Sequence, residues 1–451
     1  MVNFAQEKMS ITFKMDIAQN KDIIDNYQIA AVYGPHSICD DGTIMPFNDQ
    51  LAIISHYLHN RGYKSEEPYL DKAIGLINDV YNKEFNQPVN ENIVCEEALQ
   101  MTFLKDFFSV PFPEPNQPKF TFIDLFAGIG GFRIGLQNAG GRCVFSSEWD
   151  LQAQKTYLAN FGEMPFGDIT KESTKSFIPN DFDVLCAGFP CQPFSISGKQ
   201  KGFEDTRGTL FFDVCQIIQD HQPKVVFLEN VKHLMHHDGG NTLKTIISKL
   251  QDLGYQVSWK ILNGADYGVP QNRERIIIIG SKTRAFDFGA LETQPRGVLK
   301  EILDKDGAFE YLKPEEYTLL TETKQQPLSG LIFAGYRNKS IRKVGVRPGT
   351  EHLSRVHKQP NRIYSADGIH PTLPSQETSG RFFILTPDNR VRKLTINECW
   401  RLMGFPDEYI KVSAIGQQYR QIGNSVCVKM IEAIANEIKT QLLDTKHKYY
   451  D

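Results

Sequence analysis

From residue 119 onward, short β-rich runs alternate with helical segments, and this alternation constrains the fold more than any other feature of the chain. The predicted strands are Phe120–Phe126, Arg142–Ser146, Asp183–Cys186, Lys224–Leu228, Gln256–Leu262 and Arg275–Ile279. Strands that are separated by helices favour an α/β fold with a doubly wound sheet.

The pattern of the chain divides it into four segments. Residues 1–118 are predicted to form a mainly helical accessory domain that ends in the proline-rich linker 110–118. Residues 119–285 carry the alternating pattern. Between 286 and 391 the alternation is lost, which indicates an inserted domain. Residues 392–451 return to a helical pattern and are predicted to complete the second segment.

Charge is unevenly distributed along the chain. The formal net charge of −4 excludes a strongly basic nucleic-acid packaging protein. Residues 1–118 carry a net charge of −9, whereas Tyr336–Arg362 carries +7. Lys and Arg neutralise phosphates, and interleaved Asn and Gln can reach base edges. The basic stretch therefore predicts a polyanion-binding surface, with the candidate residues Arg337, Lys339, Arg342, Lys343, Arg355 and Arg362.

The location is predicted from what the chain lacks. No apolar run is long enough to span a membrane, and the first residues do not form a secretory signal, so we expect no membrane association. The eight cysteines include no CxxC pair, which favours a reduced cytoplasmic protein without a structural metal.

A glycine-rich turn, DLFAGIGG (Asp124–Gly131), follows the first strand and precedes a helix. Glycines allow a tight turn that approaches a ligand closely, next to a helix N-terminus. Glu148 ends the second strand, where it can hold ribose hydroxyls, and Asp168 is placed where the third strand should end, in reach of an adenine amino group. The pattern predicts an adenosine cofactor, and the spacing leaves NAD and S-adenosylmethionine both open.

The segment GFPCQPFS (Gly188–Ser195) places Cys191 just after an apolar strand, between two prolines. Strand ends of a doubly wound sheet face the ligand crevice, and the prolines stiffen the turn that aims the thiol. The following polar segment Ser195–Phe211 is predicted to close over a charged substrate, with Ser197, Lys199, Lys201 and Arg207 as contacts.

An acid and two arginines are predicted to join Cys191 in the crevice. Glu229 ends the strand KVVFLEN, while Arg273 and Arg275 alternate in QNRERI and would point to one side of an extended chain. Together these residues supply a nucleophile, an acid and an anion or carbonyl clamp.

At this point the sequence resembles the DNA (cytosine-5-)-methyltransferases of bacterial restriction-modification systems. The matching stretches keep the family's order and cover roughly residue 120 to the C-terminus: DLFAGIGG, Glu148, Asp168, GFPCQPFS, RGTLFFD, ENV, QNRERI, RKLTINECWRLMGFP and QYRQIGNSV. The resemblance implies a Rossmann-like methyltransferase core in which residues 286–391 form a target-recognition domain.

The resemblance also implies a role for each matching residue. Cys191 would be the nucleophile, Glu229 the partner of the ring nitrogen, Arg275 a contact to the base carbonyl and Arg273 their support. The implied S-adenosylmethionine pocket, which would release S-adenosylhomocysteine, contains Phe126, Gly128, Ile129, Gly130, Glu148, Trp149, Asp168, Ile169, Pro190, Leu210, Asn424 and Ser425. The implied partners are double-stranded DNA, whose target base is flipped out, and a restriction endonuclease for the same site. We expect a cytoplasmic, nucleoid-associated monomer.

Three alternatives remain open in the sequence. A tRNA cytosine-5 methyltransferase would use the same chemistry, although the long basic insert disfavours it. The N-terminal segment could make the protein a transcriptional repressor, but its charge of −9 opposes phosphate binding. An NAD-dependent oxidoreductase would explain the glycine turn and would leave Cys191, Glu229 and the arginine pair without a common task.

Overall fold

The computed structural model describes residues 34–39, 42–85, 110–190, 210–339, 349–350, 352–375 and 382–444. The described residues of the N-terminal part include the α-helices α1 (Phe47–Asn60) and α2 (Leu70–Phe85). Buried apolar residues recur along α1 at helical spacing, including Leu51, Ile54 and Leu58. None of the helices within these described ranges is long and apolar enough to cross a membrane.

A six-stranded sheet forms the centre of the protein. Its strands and helices are β1 (Phe120–Leu125), α3 (Gly131–Asn138), β2 (Gly141–Ser147), α4 (Leu151–Phe161), α5 (Glu172–Lys175), β3 (Val184–Ala187), α6 (Leu210–His221), β4 (Val225–Val231), α7 (Asn241–Asp252), β5 (Gln256–Asn263) and β7 (Glu274–Ser281), with the short strand β6 (Gln271–Asn272) outside this sheet. The strand order is β2-β1-β3-β4-β7-β5. All pairs among β1 to β4 are parallel, whereas β7 is antiparallel to β4 and β5. The predicted α/β core is confirmed, with one antiparallel strand.

Both faces of this sheet are covered. Alternate residues of β4 enter different hydrophobic clusters, Val226 and Leu228 on one face and Val225 and Phe227 on the other. Such burial on both faces explains why the strands read as continuous apolar runs rather than as an apolar and polar alternation.

Helices α1 and α2 pack directly against this sheet. Leu51 and Ile54 of α1 belong to the same hydrophobic cluster as Val144 of β2 and Phe166. Arg142 of β2 donates hydrogen bonds to Asn60 and to Ser65, across the same contact. The described helices thus share a core with the sheet instead of packing as a separate unit, and the domain boundary at residue 118 stays a prediction.

The segment predicted as an insertion contains a second sheet. Its strands are β8 (Tyr317–Gln325), β9 (Ile332–Arg337), β10 (Arg362–Ser365), β12 (Phe383–Leu385) and β13 (Val391–Lys393), with β11 (His370–Pro371) between β10 and β12 in the chain. They are ordered β13-β12-β10-β9-β8, while β11 pairs in parallel with β6. The β6–β11 pair joins the insert to the first sheet immediately before Arg273.

Three helices complete the described chain: α8 (Ile396–Leu402), α9 (Ile415–Asn424) and α10 (Val428–Ile438). Helix α10 packs closely on α3, because a Cβ atom at Gly135 would lie 2.7 Å from the Ile431 side chain. Trp400 of α8 is buried, and its ring nitrogen donates a hydrogen bond to Gln418 at 3.1 Å. The C-terminal segment therefore returns to the core.

Candidate active site

A cleft of about 1750 Å³ opens where β1, β2, β3 and β4 end. The predicted cofactor residues that line it are Phe126, Gly128, Ile129, Glu148, Trp149, Asp168, Ile169, Pro190, Leu210, Asn424 and Ser425. Gly130 does not line the cleft. The catalytic candidates Glu229, Arg273 and Arg275 line the same cleft, so residues more than 290 positions apart in sequence meet there.

The turn after β1 adopts the left-handed conformation at three positions. Phe126 has φ 56°, Gly128 φ 56° and Gly130 φ 79°. A side chain at Gly130 would collide with the Phe161 ring, which a Cβ atom would approach to 2.2 Å. Gly130 therefore has a structural role, because it lets the chain turn tightly into α3.

Glu148 connects the end of β2 to this turn. Its carboxylate accepts hydrogen bonds from the backbone N–H groups of Gly128 and Asp150, both at 2.8 Å. Burial raises its pKa, and these two hydrogen bonds oppose the rise. The neighbouring Trp149 side chain is 81% exposed in the cleft wall, which leaves a large ring face open to a ligand.

The sequence predicts that Asp168 ends the third strand, but in the structure Asp168 does not follow a strand of the central sheet. The preceding Phe166 forms only an isolated bridge with Ser147, and the third strand along the chain is β3. The chain from Gly162 to Ile169 is too irregular to pair further with β2. Asp168 still reaches the cleft, where its exposed carboxylate accepts hydrogen bonds from Thr170.

Glu229 and Arg275 form an ion pair on neighbouring strands. The Nε atom of Arg275 on β7 lies 2.9 Å from Oε1 of Glu229 at the end of β4. Each residue is only 8% exposed. Burial raises the pKa of Glu229, and Arg275 and Arg273 only partly oppose this rise. A carboxyl with a raised pKa is suited to donate a proton to a base.

Arg273 lines the same cleft as Glu229 and Arg275, and it also makes contacts that the sequence did not predict. Its guanidinium is 1% exposed and donates hydrogen bonds to the backbone oxygens of Leu373 at 3.0 Å, Gly423 at 2.9 Å and Ser425 at 2.6 Å. Burial lowers its pKa to about 9. Arg273 therefore joins the insert to the end of α9, next to Asn424 and Ser425 of the cleft.

Replacing Arg273 with Ala is expected to destabilise the protein by about 3 kcal/mol or more, because three buried carbonyl oxygens lose a charged donor and a cavity remains. A lower urea midpoint in circular dichroism checks this. Lys64→Ala, which removes an exposed ion pair with Asp181, is the control and should unfold close to wild type. Equal midpoints for the two variants would contradict the assigned role.

Cys191 lies outside the described residues, as do Ser197, Lys199, Lys201 and Arg207. The chain is described up to Pro190, which lines the cleft. A Cβ atom on Gly188 would lie 3.8 Å from the Glu229 carboxylate, and Asn230 donates a hydrogen bond to the Phe189 oxygen at 2.8 Å. The residues immediately before Cys191 are therefore held against Glu229 and its neighbour Asn230.

Some of the candidate DNA-binding residues lie in the described part of the insert, and the others lie outside the described residues. Arg355 and Arg362 line a second cleft of about 400 Å³ in the insert. Thr372 and Pro374 line both clefts, so the two openings adjoin. Arg337 stacks over Phe383, with its guanidinium carbon 4.9 Å from the ring centre. Lys339 is exposed, and Arg342 and Lys343 lie outside the described residues.

Sequence reasoning missed the contribution of residues 372–375 to the main cleft. Thr372 donates a hydrogen bond to the Asn272 oxygen, and Leu373 receives the one from Arg273. These residues belong to the predicted insert 286–391, and their residue types carry no pattern that assigns them to the cleft.

Comparison with known proteins identifies the family. The family model "C-5 cytosine-specific DNA methylase" matches residues 120–440. The type II methyltransferase M.HpaII of Haemophilus parainfluenzae is 45% identical over 366 residues, which cover 78% of this chain and 98% of that protein. M.HhaI of Haemophilus parahaemolyticus is 43% identical over 331 residues, which cover 71% and 94%.

Solved structures agree on the fold. A mutant DNMT2 from Spodoptera frugiperda matches with a TM-score of 0.51 and 19% identity, covering 71% of this chain and 99% of that one. The methyltransferase EhMeth of Entamoeba histolytica matches with a TM-score of 0.52 and 20% identity, covering 72% and 99%. With the family model and the two close relatives, the finding is plain: the chain belongs to the C-5 cytosine-specific DNA methylase family.

Proposed function

We propose that the protein transfers the methyl group of S-adenosylmethionine to carbon 5 of a cytosine at a short site in double-stranded DNA. The observation that carries this proposal is one cleft that contains both Glu148 and the Glu229–Arg275 ion pair. The first feature suits an adenosine, and the second suits a pyrimidine ring that must be protonated.

The cleft residues fit S-adenosylmethionine. Glu148 has its carboxylate at the end of β2, where ribose hydroxyls can bind it, and the open Trp149 ring can stack on the adenine. Asp168 offers an exposed acceptor to an adenine amino group. When bound, the cofactor supplies an activated methyl group and is released as S-adenosylhomocysteine.

Cys191 and Glu229 carry the chemistry of the base in this proposal. The Cys191 thiolate forms a bond to carbon 6 of cytosine, and Glu229 gives a proton to ring nitrogen 3, so the ring does not accumulate negative charge. Carbon 5 becomes nucleophilic and accepts the methyl group. The carbon 5 proton then passes to water, the sulfur–carbon bond breaks to release the Cys191 thiolate, and ring nitrogen 3 returns its proton to Glu229, which restores the aromatic ring.

Arg275 has two tasks in this scheme. It holds the Glu229 carboxyl through the 2.9 Å ion pair while its Nη1 donates to the Glu274 backbone oxygen, and it lines the cleft, where it can contact the base carbonyl. Arg273 supports this arrangement from the side through the three backbone oxygens. It is a positioning residue rather than a catalytic one.

The target cytosine must leave the duplex, because the proposed catalytic groups cannot reach carbon 5 and carbon 6 of a base that stays stacked and paired. We propose that residues 286–391 are the target-recognition domain, with Arg355 and Arg362 at the second cleft as DNA contacts. The other proposed contacts are Ser197, Lys199, Lys201, Arg207, Arg337, Lys339, Arg342 and Lys343. Residues 119–285 and 392–451 form the proposed catalytic domain.

The biological setting is proposed from the relatives. The two named above are type II methyltransferases, which supports the role of a modification enzyme with a cognate restriction endonuclease for the same site. We further propose action as a monomer, since one cleft handles one flipped base, and a cytoplasmic location with binding to the nucleoid.

Transfer of labelled methyl groups tests the substrate. The full-length protein is incubated with methyl-tritiated S-adenosylmethionine and either unmethylated genomic DNA or tRNA, and the nucleosides are separated. We expect label in 5-methyldeoxycytidine from DNA only. Label in tRNA without label in DNA would overturn the proposal in favour of the RNA enzyme.

A further inference from the structure

Helix α1 lies outside residues 120–440, which the family model matches. In space, however, α1 lies alongside the irregular segment 162–169, which carries Asp168 and Ile169 to the cleft. His59 bonds the backbone oxygen of Gly162 at 3.1 Å, and the Ser55 hydroxyl accepts from the backbone N–H of Met164 at 3.0 Å. Asp49 lies against Gly167, where a Cβ atom would be 3.4 Å from the Asp49 Oδ1 atom. One face of α1 therefore contacts the segment from its start to the residue before Asp168.

The first turn of α1 also reaches Glu148. Asn48 donates a hydrogen bond to the Gln154 side-chain oxygen at 3.2 Å. The buried Gln154 amide in turn donates to the backbone oxygen of Glu148 at 2.5 Å. Two hydrogen bonds thus connect α1 with the residue that ends β2 in the cleft.

A buried polar network fixes α1 against β2. His56 accepts from the backbone N–H of Ser146 at 3.0 Å, two residues before Glu148. Glu163 accepts from Arg133 at 2.7 Å and from the Ser146 hydroxyl at 2.8 Å. Although burial opposes it, Arg133 lowers the pKa of Glu163 to about 2, so the carboxylate stays charged. The network gives α1 a defined position relative to the cleft.

We propose that α1 is part of the cofactor site, with Asn48 and Asp49 as positioning residues that hold Glu148 and Asp168 for the adenosine of S-adenosylmethionine. This inference rests on the proposed function. Asp168 and Trp149 are exposed and lie outside helices and strands, so without a support they must be ordered when the cofactor binds. Contacts from α1 prepare the site before binding and raise the affinity.

The test uses the full-length protein with the double substitution Asn48→Ala and Asp49→Ala. We expect Kd and KM for S-adenosylmethionine to rise about tenfold, the scale of loss when groups that orient ligand-binding side chains are removed. The kcat at saturating cofactor and the Kd for DNA should stay at wild-type values. Isothermal titration calorimetry, fluorescence anisotropy with DNA and initial rates supply these quantities.

Two further variants separate positioning from folding. Asp49→Asn keeps the shape of the side chain and an oxygen next to Gly167, so it should restore most of the affinity lost in Asp49→Ala. Asp79 of α2 contacts His36 and makes none of the contacts described above with segment 162–169, so Asp79→Asn should lower the thermal midpoint without changing cofactor affinity. If the double variant is poorly folded, the Asp49→Asn and Asp49→Ala pair decides alone: equal cofactor affinities would overturn the inference.

Glu148→Ala separates a failure of the inference about α1 from a failure of the proposed cofactor site. If Glu148→Ala weakens cofactor binding while the α1 variants bind normally, the inference is wrong and the proposed site stands. If Glu148→Ala itself binds S-adenosylmethionine as wild type does, the proposed cofactor site is wrong.

Discussion

Cys191→Ser is expected to lower the rate of methyl transfer by at least about 10⁴-fold, a loss on the scale seen when an enzyme loses its nucleophile. A thiol near neutral pH is partly ionised and the thiolate attacks carbon well, whereas a serine hydroxyl is not ionised without a strong base. S-adenosylmethionine binding should persist, because the proposed contacts to the adenosine come from Glu148, Trp149 and Asp168. Rates with tritiated cofactor and calorimetric titration measure the two effects.

The covalent step has a direct readout. DNA that carries 5-fluorocytosine at the target cannot lose a proton from carbon 5, so the sulfur–carbon bond to Cys191 should persist and give a retarded band in a denaturing gel. Cys186→Ser is the matched control, since burial raises the pKa of the Cys186 thiol and its Sγ donates to the Ile123 oxygen, as a hydroxyl also can. A trapped complex with Cys191→Ser would exclude Cys191 as the nucleophile.

Glu229→Gln is expected to lower kcat by about 10²- to 10⁴-fold, the range for loss of a general acid. Glutamine keeps the shape of the side chain and an oxygen for Arg275, but it has no proton to give to ring nitrogen 3. Binding of S-adenosylmethionine and DNA should change little. Single-turnover rates and equilibrium binding with both ligands check these expectations.

The pH dependence gives the Glu229 prediction a second readout. Burial raises the pKa of Glu229 above the ordinary carboxyl value of 4.5, so the protonated form extends to higher pH. In wild type the chemical rate should fall as pH rises through this raised pKa, whereas rising pH also ionises Cys191 and favours attack. Glu229→Gln should lose the descending limb and keep the ascending one. An unchanged profile would show that Glu229 is not the acid.

The sequence predicted best what depends on local pattern and strand order. Runs such as VVFLENV are strands because both faces of the sheet are covered, and the parallel strands β1, β2, β3 and β4 end at the same cleft. This is why Glu148 and Glu229, distant in sequence, could be assigned to one sheet edge from the ends of their strands.

The features that the sequence did not predict depend on long side chains, on irregular backbone and on which elements pack together. Arg273 lines the cleft together with Arg275, but the sequence did not show that its guanidinium also donates to oxygens 100 and 150 residues ahead in the chain. Asp168 follows an isolated bridge rather than a sheet strand. The packing of α1 on β2 was missed because helical periodicity shows which face of a helix is apolar and leaves its partner open.

Bisulfite sequencing of unmethylated genomic DNA, treated with the protein and S-adenosylmethionine, tests the central claim most directly. The account predicts 5-methylcytosine at one short sequence motif with wild type and none with Cys191→Ser. DNA that stays unmethylated under conditions in which the protein binds its cofactor would contradict the proposed activity. Methylation by Cys191→Ser at the wild-type motif would contradict the covalent mechanism.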